Sequence, residues 1–174
     1  MIRGMPKMSA GLLAFRAAAD GTVEVLLAHP GGPLWSKKDA HSWSVPKGEY
    51  QEGDDPEREA AREFGEELGL PAPDGPRLDL GTIRQAGGKV VHVWAVDGTD
   101  LGFERAVSNE FEMEWPPRSG RRQTFPEVDR AEWMTITEAR DRLVKGQVEF
   151  LDRLAGALSP DGSPPSSPPH GRER

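Results

Sequence analysis

The sequence predicts an α+β domain in which helices pack on a mixed β-sheet. Three observations carry that expectation: short β-prone apolar runs come in pairs separated by turn residues, one strongly capped helix rich in carboxylates lies between the pairs, and two amphipathic helical segments follow the last strand. At 174 residues the chain suits one domain with its own core, and a second full domain would be cramped.

Residues 1–8 read as a loose leader, residues 9–158 as the domain, and residues 159–174 as a disordered Pro/Ser-rich tail. Ser9 to Phe15 and Val23 to His29 form a hairpin with Asp20-Gly21 in its turn. Pro30 to Ser42 is a polar, Gly/Pro-rich loop carrying Trp35, Lys37, Lys38 and His41, and Trp43 to Val45 is a brief extended entry into Pro46-Lys47-Gly48. A helix over 56–68 follows, since Asp55 suits the N-cap, Pro56 the first helical position and Gly69 the left-handed stop. Asp79 to Gln85 and Lys89 to Val96 make a second hairpin, with Val91, Val93 and Ala95 on one face and His92, Trp94 and Val96 on the other. Asn109 to Trp115 alternates Phe111, Met113 and Trp115 against Glu110, Glu112 and Glu114. Pro116 to Pro126 reads as a basic loop, Glu132 to Ile136 as a strand, and Thr137 to Val144 and Gln147 to Leu158 as the closing helices.

A net charge of −7 argues against a general binder of nucleic acid or anionic membrane, and a stable nucleic-acid partner is not expected. Having no cysteine, the chain has no disulfide, thiolate nucleophile or cysteine-ligated zinc. No stretch approaches the ~20 apolar residues of a membrane span. The short run from Ala10 to Phe15 does not make a signal-peptide core, so the chain reads as soluble and cytoplasmic, a monomer or homodimer.

Chemistry concentrates on the 56–68 helix. At ~100° per residue Glu63, Glu66 and Glu67 share one face, with Glu59 a turn earlier, while Ala60, Ala61, Phe64 and Leu68 form the core stripe. Like charges at these spacings repel, and Arg62 alone cannot neutralise them all. The face is either a solvated acidic surface or a seat for a hard divalent cation, Mg²⁺ or Mn²⁺, which takes carboxylate oxygens and shares substrate phosphates.

The full spacing runs from Gly48 through five residues to Asp54, then seven more to Arg62-Glu63-Phe64-x-Glu66-Glu67-x-Gly69-Leu70. It resembles the signature of the Nudix hydrolases, which cleave nucleoside diphosphates linked to another group. The departure is Asp54, where the family usually has Glu. The resemblance covers about Met8 to Leu158 and implies an α/β/α sandwich with a mixed β-sheet. It also implies that Glu63, Glu66 and Glu67 hold the cation, that the Lys47 carbonyl adds an oxygen, and that Arg62 orients the carboxylates. The general base would be Glu63 or Glu127, with Glu112 a weaker rival; Glu127 could equally be a charged turn residue and Glu112 the solvent face of a strand.

Pro46-Lys47-Gly48, with the later Gly88-Lys89-Val90-Val91-x-x-Trp94-Ala95, is similar to the diadenosine tetraphosphate hydrolase branch. That branch implies a dinucleoside tetraphosphate substrate, with a nucleoside triphosphate or a nucleotide sugar such as ADP-ribose as alternatives, and a non-catalytic nucleotide sensor as a rival class. Lys47, Lys89, Arg118, Arg121 and Arg122 either contact the polyphosphate or keep loops soluble. Trp35, His41 and Trp43 either stack on a base or, in the case of Trp43, join the core.

Overall fold

A computed structural model of the chain describes residues 4–103 and 106–159. The expected tail therefore lies, apart from Ser159, outside the described residues. In chain order the elements are β1 (Met8–Ala17), β2 (Val23–Pro30), β3 (Lys47–Tyr50), α1 (Pro56–Leu68), β4 (Leu78–Arg84), β5 (Val90–Asp97), β6 (Glu110–Glu114), β7 (Arg122–Pro126), β8 (Val128–Thr135), α2 (Ile136–Arg142) and α3 (Glu149–Leu158), the last preceded by a 3₁₀ turn at Lys145–Gln147.

The main sheet is mixed, in the order β4-β5-β1-β2-β8, with β3 also paired to β1. β1 runs parallel to β5 from Met8 to Phe15. Its other edge is shared by two antiparallel partners: β3 takes Met8 to Gly11, and β2 takes Phe15 to Ala17. Alternation along β1 then fixes the layers. Ala10, Leu12 and Ala14 face a core with Ala60, Phe64 and Leu68 of α1, whereas Leu13 faces the other core, with Ala139 of α2 and Phe150, Leu151 and Leu154 of α3. The sheet is covered on both faces, giving the α/β/α sandwich. Phe64 and Leu68 are fully buried, and each contributes about 1.5–3 kcal/mol by leaving water.

α1 begins and ends at the predicted residues for the predicted reasons. The Asp55 carboxylate accepts from the N–H groups of Glu57 and Arg58, and Gly69 closes the helix at φ 75° with its N–H on the Gly65 carbonyl. α2 opens one residue earlier than expected, on a reciprocal cap between Thr135 and Glu138.

Two strands differ from expectation. The supposed loop from Pro116 to Pro126 contains β7, which pairs with β6 as a two-stranded ribbon from Glu110↔Pro126 to Glu114↔Arg122. β7 shows no apolar alternation because most of its residues are exposed. β8 starts at Val128 rather than Glu132, because an irregularity at Asp129 breaks its alternation.

The end of β2 is clamped against the end of β7. The Gly31 N–H donates to the Glu127 carbonyl at 2.9 Å. A Cβ on Gly31 would lie 1.9 Å from the Pro126 carbonyl oxygen, which is backbone and cannot swing aside. Gly31→Ala is therefore expected to destabilise the fold by about 2–3 kcal/mol, read as a lower midpoint in denaturant unfolding.

Candidate active site

Three elements build the site: the exposed face of α1, the start of β3, and the β7–β8 junction. Gly48 on β3 is the seat. A Cβ there would fall 2.0 Å from the Glu63 carboxyl carbon, so Glu63 folds over the β3 backbone in space that only glycine leaves open. The Glu63 side chain is 14% exposed, and burial pushes its carboxyl above the ordinary value, against the pull of Arg62.

Glu67 lies deeper. Burial pushes its carboxyl up to about 8, and the charges of Glu63 and Glu127 push the same way; the Lys47 ammonium and backbone N–H pull against them. Lys47 is itself held below its usual range by burial and by Lys89, opposed by Glu67, Glu49 and Glu63. One lysine thus answers a group of carboxylates that would gain from a further positive charge.

Arg62 organises the outer part of the cluster. Its Nε donates to Glu59 at 2.8 Å, and its two terminal nitrogens donate to Glu66 at 2.5 Å and Glu63 at 2.9 Å. These carboxylates hold the guanidinium firmly protonated. With oxygens of three carboxylates drawn onto Arg62, no three acidic or histidine side chains among the described residues converge into a ready-made metal site. The donor set still fits a hard divalent cation: it is all oxygen, and the charge on Glu67 is under-compensated where it sits.

Glu127 stands at the junction between β7 and β8, exposed, and its charge is felt by both Glu63 and Glu67. It also borders a cavity of about 380 Å³ lined by Pro30–Trp35, Phe111 and Met113. Trp35 is 38% exposed there, with the Lys38 ammonium 4.9 Å above its ring. Gly32, at φ 92°, lets the chain pass Phe111, whose ring tip would lie 2.9 Å from a Cβ. Larger hollows beside residues 72–76 and beside Lys7 and Lys89 are not lined by the cluster carboxylates.

The remaining sequence candidates fall in separate places. Trp43 is fully buried, its indole N–H on Asp39 at 2.8 Å, so of its two readings the core one holds. His41 turns Nδ1 toward the Leu143 carbonyl at 3.1 Å and does not line the cavity. Lys89 lies 3.7 Å from Glu49, which Lys7 also approaches. Arg118 and Arg121 are exposed in the turn joining β6 to β7, with Arg118 at φ 63°. Arg122 pairs with Glu112, and the ribbon register puts both on the face opposite Phe111 and Met113. That pairing occupies Glu112 away from the cluster. Phe111 and Met113 are the cavity residues to which sequence reading gave no role. Their only signal was alternation against Glu110, Glu112 and Glu114.

A glycine-seated carboxylate, a half-buried second one, and an arginine fork gathering the rest on a capped helix make an all-oxygen donor set of the kind a hard divalent cation favours. The NUDIX domain model matches residues 5–154, and the chain belongs to the Nudix family, whose enzymes generally use a divalent metal. A Mycobacterium tuberculosis protein provisionally named 8-oxo-dGTP diphosphatase 3 is 32% identical over 135 residues, covering 76% of this chain and 54% of its own length. The chain thus spans about half of the curated relatives it matches.

Among solved structures, the Ap4A hydrolase binary complex of C. elegans aligns at a TM-score of 0.55 with 20% identity, covering 87% of this chain and 97% of that one. The NUDIX domain of Shewanella oneidensis NrtR complexed with ADP ribose aligns at 0.58 with 16% identity, covering 90% and 91%. Likeness at these identities shows the shared fold.

Proposed function

We propose that the chain is a metal-dependent pyrophosphohydrolase cleaving a phosphoanhydride bond in a nucleotide polyphosphate, with a dinucleoside tetraphosphate as first substrate and Mg²⁺ or Mn²⁺ as the cation. The carrying observation is the juxtaposition of Glu63 over Gly48, half-buried Glu67, and Glu127 at the mouth of an apolar cavity. Glu63, Glu66 and Glu67, with the Lys47 carbonyl, would hold the cation. Its charge would stabilise the phosphoryl oxygens and ease deprotonation of the attacking water.

The protein's own residues do the rest. Arg62 fixes where the α1 carboxylates point, so that little reorganisation is needed as charge develops. Glu127, exposed beside the cluster, takes the proton of the attacking water. Trp35, Phe111 and Met113 offer flat and adaptable apolar surface for a purine. Lys47 and Lys89, whose charges act on one another, and the exposed Arg118 and Arg121 supply cations for a long phosphate chain.

A nucleoside triphosphate is the second reading, favoured by the 32% identical relative named for 8-oxo-dGTP. Product analysis separates the two. ATP plus AMP from diadenosine tetraphosphate supports the first; a monophosphate plus pyrophosphate from a triphosphate alone supports the second. Cleavage of ADP-ribose alone would overturn both substrate readings, and nucleotide binding without turnover would leave a sensor.

Trp35→Ala is expected to raise KM about tenfold and change kcat less than about threefold, because Trp35 borders the cavity and not the carboxylates. Steady-state kinetics on the best substrate checks this. A fall confined to kcat would remove Trp35 from substrate binding.

A further inference from the structure

The chain changes ladder partner just before the site. Ser44 pairs with Ala28 near the end of β2, each N–H donating to the other's carbonyl at 2.9 Å, whereas Lys47 already pairs with Gly11 of β1. Between them Pro46 has no N–H to offer, and its carbonyl accepts from the Leu12 N–H at 3.1 Å. Val45 falls in the gap. It belongs to neither ladder and is 1% exposed, so its N–H and carbonyl need partners from elsewhere in the protein.

One side chain meets both needs. Gln147, fully buried in the 3₁₀ turn before α3, accepts from the Val45 N–H at 3.0 Å through Oε1. That donor fixes which end of the amide faces it, so Nε2 donates to Ser44 Oγ at 3.1 Å. The Ser44 hydroxyl in turn donates to the Val45 carbonyl at 2.8 Å, a nearer acceptor than Gln147 Oε1 at 3.3 Å. Three hydrogen bonds thus close a ring around Val45. The same turn abuts the other lysine-bearing segment: a Cβ on Gly146 would lie 3.1 Å from Gln85 Cγ, and the Gln85 N–H donates to the Lys89 carbonyl at 2.7 Å.

Just past Val45 come the Lys47 carbonyl and Gly48, over which Glu63 folds. Where the chain switches ladders decides where β3 begins against β1, and a displacement of even ~1 Å there moves carbonyl and glycine seat together. We infer that Gln147 is a positioning residue: its amide stands in for the missing ladder partner at Val45 and thereby sets where the Lys47 carbonyl and Gly48 meet the α1 carboxylates. Its effect on turnover rests on the proposed hydrolase; its hold on Val45 does not. Gln147 bonds to Ser44 and Val45 and to no carboxylate of the cluster, so it acts through β3.

The test sets Gln147→Met, which keeps length and volume but loses the amide, against Phe150→Leu, a change in the same core as Val45. Both are made in the full chain and assayed well below their melting temperatures. Gln147→Met should lower kcat in saturating Mg²⁺ about tenfold, more than it raises KM, while Phe150→Leu keeps kcat within about twofold of the parent. Equal losses from the two variants, or a parent-like kcat for Gln147→Met, overturn the inference. In ¹H–¹⁵N spectra the Val45 amide should exchange at least about tenfold faster in Gln147→Met than in Phe150→Leu, and the Gly48 amide should shift in the first variant alone. A Val45 amide equally protected in both overturns it as well. Should Gln147→Met fail to fold, Ser44→Ala, which removes only the hydroxyl link, takes its place with an expected loss in kcat of about threefold; a parent-like kcat there overturns the inference. If the parent itself turns over no nucleotide, the hydrolase reading fails instead, and the Val45 and Gly48 amides still report whether Gln147 holds the switch.

Discussion

Glu67→Gln is expected to stabilise the metal-free protein at neutral pH and to cut metal-dependent turnover about a thousandfold. Both effects have one cause, a carboxyl buried where its charge is under-compensated. Burial raises the folded-state value to about 8 from an ordinary 4.5. Between those values the folded protein holds a proton that the unfolded chain has released. Stability of the metal-free protein is therefore greatest at the acid end of this window and declines as pH rises toward 8. At pH 7 the decline amounts to at most about 3.5 kcal/mol, at ~1.4 kcal/mol per pH unit. Burial and the neighbouring carboxylates raise Glu63 as well, so its slope has the same sign.

Lys47 works the other way, but only toward its ordinary 10.5, and any histidine contribution between pH 5.5 and 7.5 is shared by parent and variant, so the difference between the two reports Glu67. Melting temperatures in EDTA should fall over that interval for the parent and fall less for Glu67→Gln. Mg²⁺ should restore the parent at pH 7.5 and leave the variant unchanged. A parent whose melting temperature rises with pH in EDTA would contradict the buried-carboxylate account.

Gly48→Ala separates activity from folding in another way. The added methyl would meet the far end of a flexible side chain, with the Glu63 carboxyl carbon at 2.0 Å and its oxygens at 2.1 and 2.5 Å. Glu63 can swing out, so the fold should lose less than about 1 kcal/mol, whereas Gly31→Ala meets an immovable carbonyl. Turnover should nevertheless drop by a factor of about a hundred or more, because a carboxylate displaced by even ~1 Å no longer serves the reaction. Circular dichroism melting beside kcat/KM checks both halves. A folded, fully active Gly48→Ala would show that Glu63 does not work from this seat.

The features readable from sequence were those written in neighbouring residues. Asp55, Pro56 and Gly69 mark α1 by local backbone chemistry, and Phe64 and Leu68 mark its buried stripe by spacing alone. The strand pairs on either side of α1 announced themselves by alternation and turn residues. The β7–β8 region was opaque for a physical reason. β7 is an exposed ribbon strand with no apolar face, and the extra residue in β8 scrambles the period-2 signal just where the chain reaches the site.

Gln147 gave no sequence signal, since its partners Ser44 and Val45 lie far away in the chain, where it changes ladder partner. The cavity joins Pro30–Trp35 to Phe111 and Met113, segments far apart in the chain, and only the register of β6 with β7 and the clamp at Gly31 bring them together. The arginine positions were legible, but what each one pairs with was not. Arg122 spends its charge on Glu112, a contact fixed by ribbon register.

The most direct test of the central claim is product analysis of diadenosine tetraphosphate and 8-oxo-dGTP incubated with the parent and with Glu67→Gln, each in Mg²⁺ and again in EDTA. The account predicts phosphoanhydride cleavage by the parent in Mg²⁺ alone, with ATP and AMP as the products of the first substrate. Equal turnover in EDTA, or by Glu67→Gln, would contradict it.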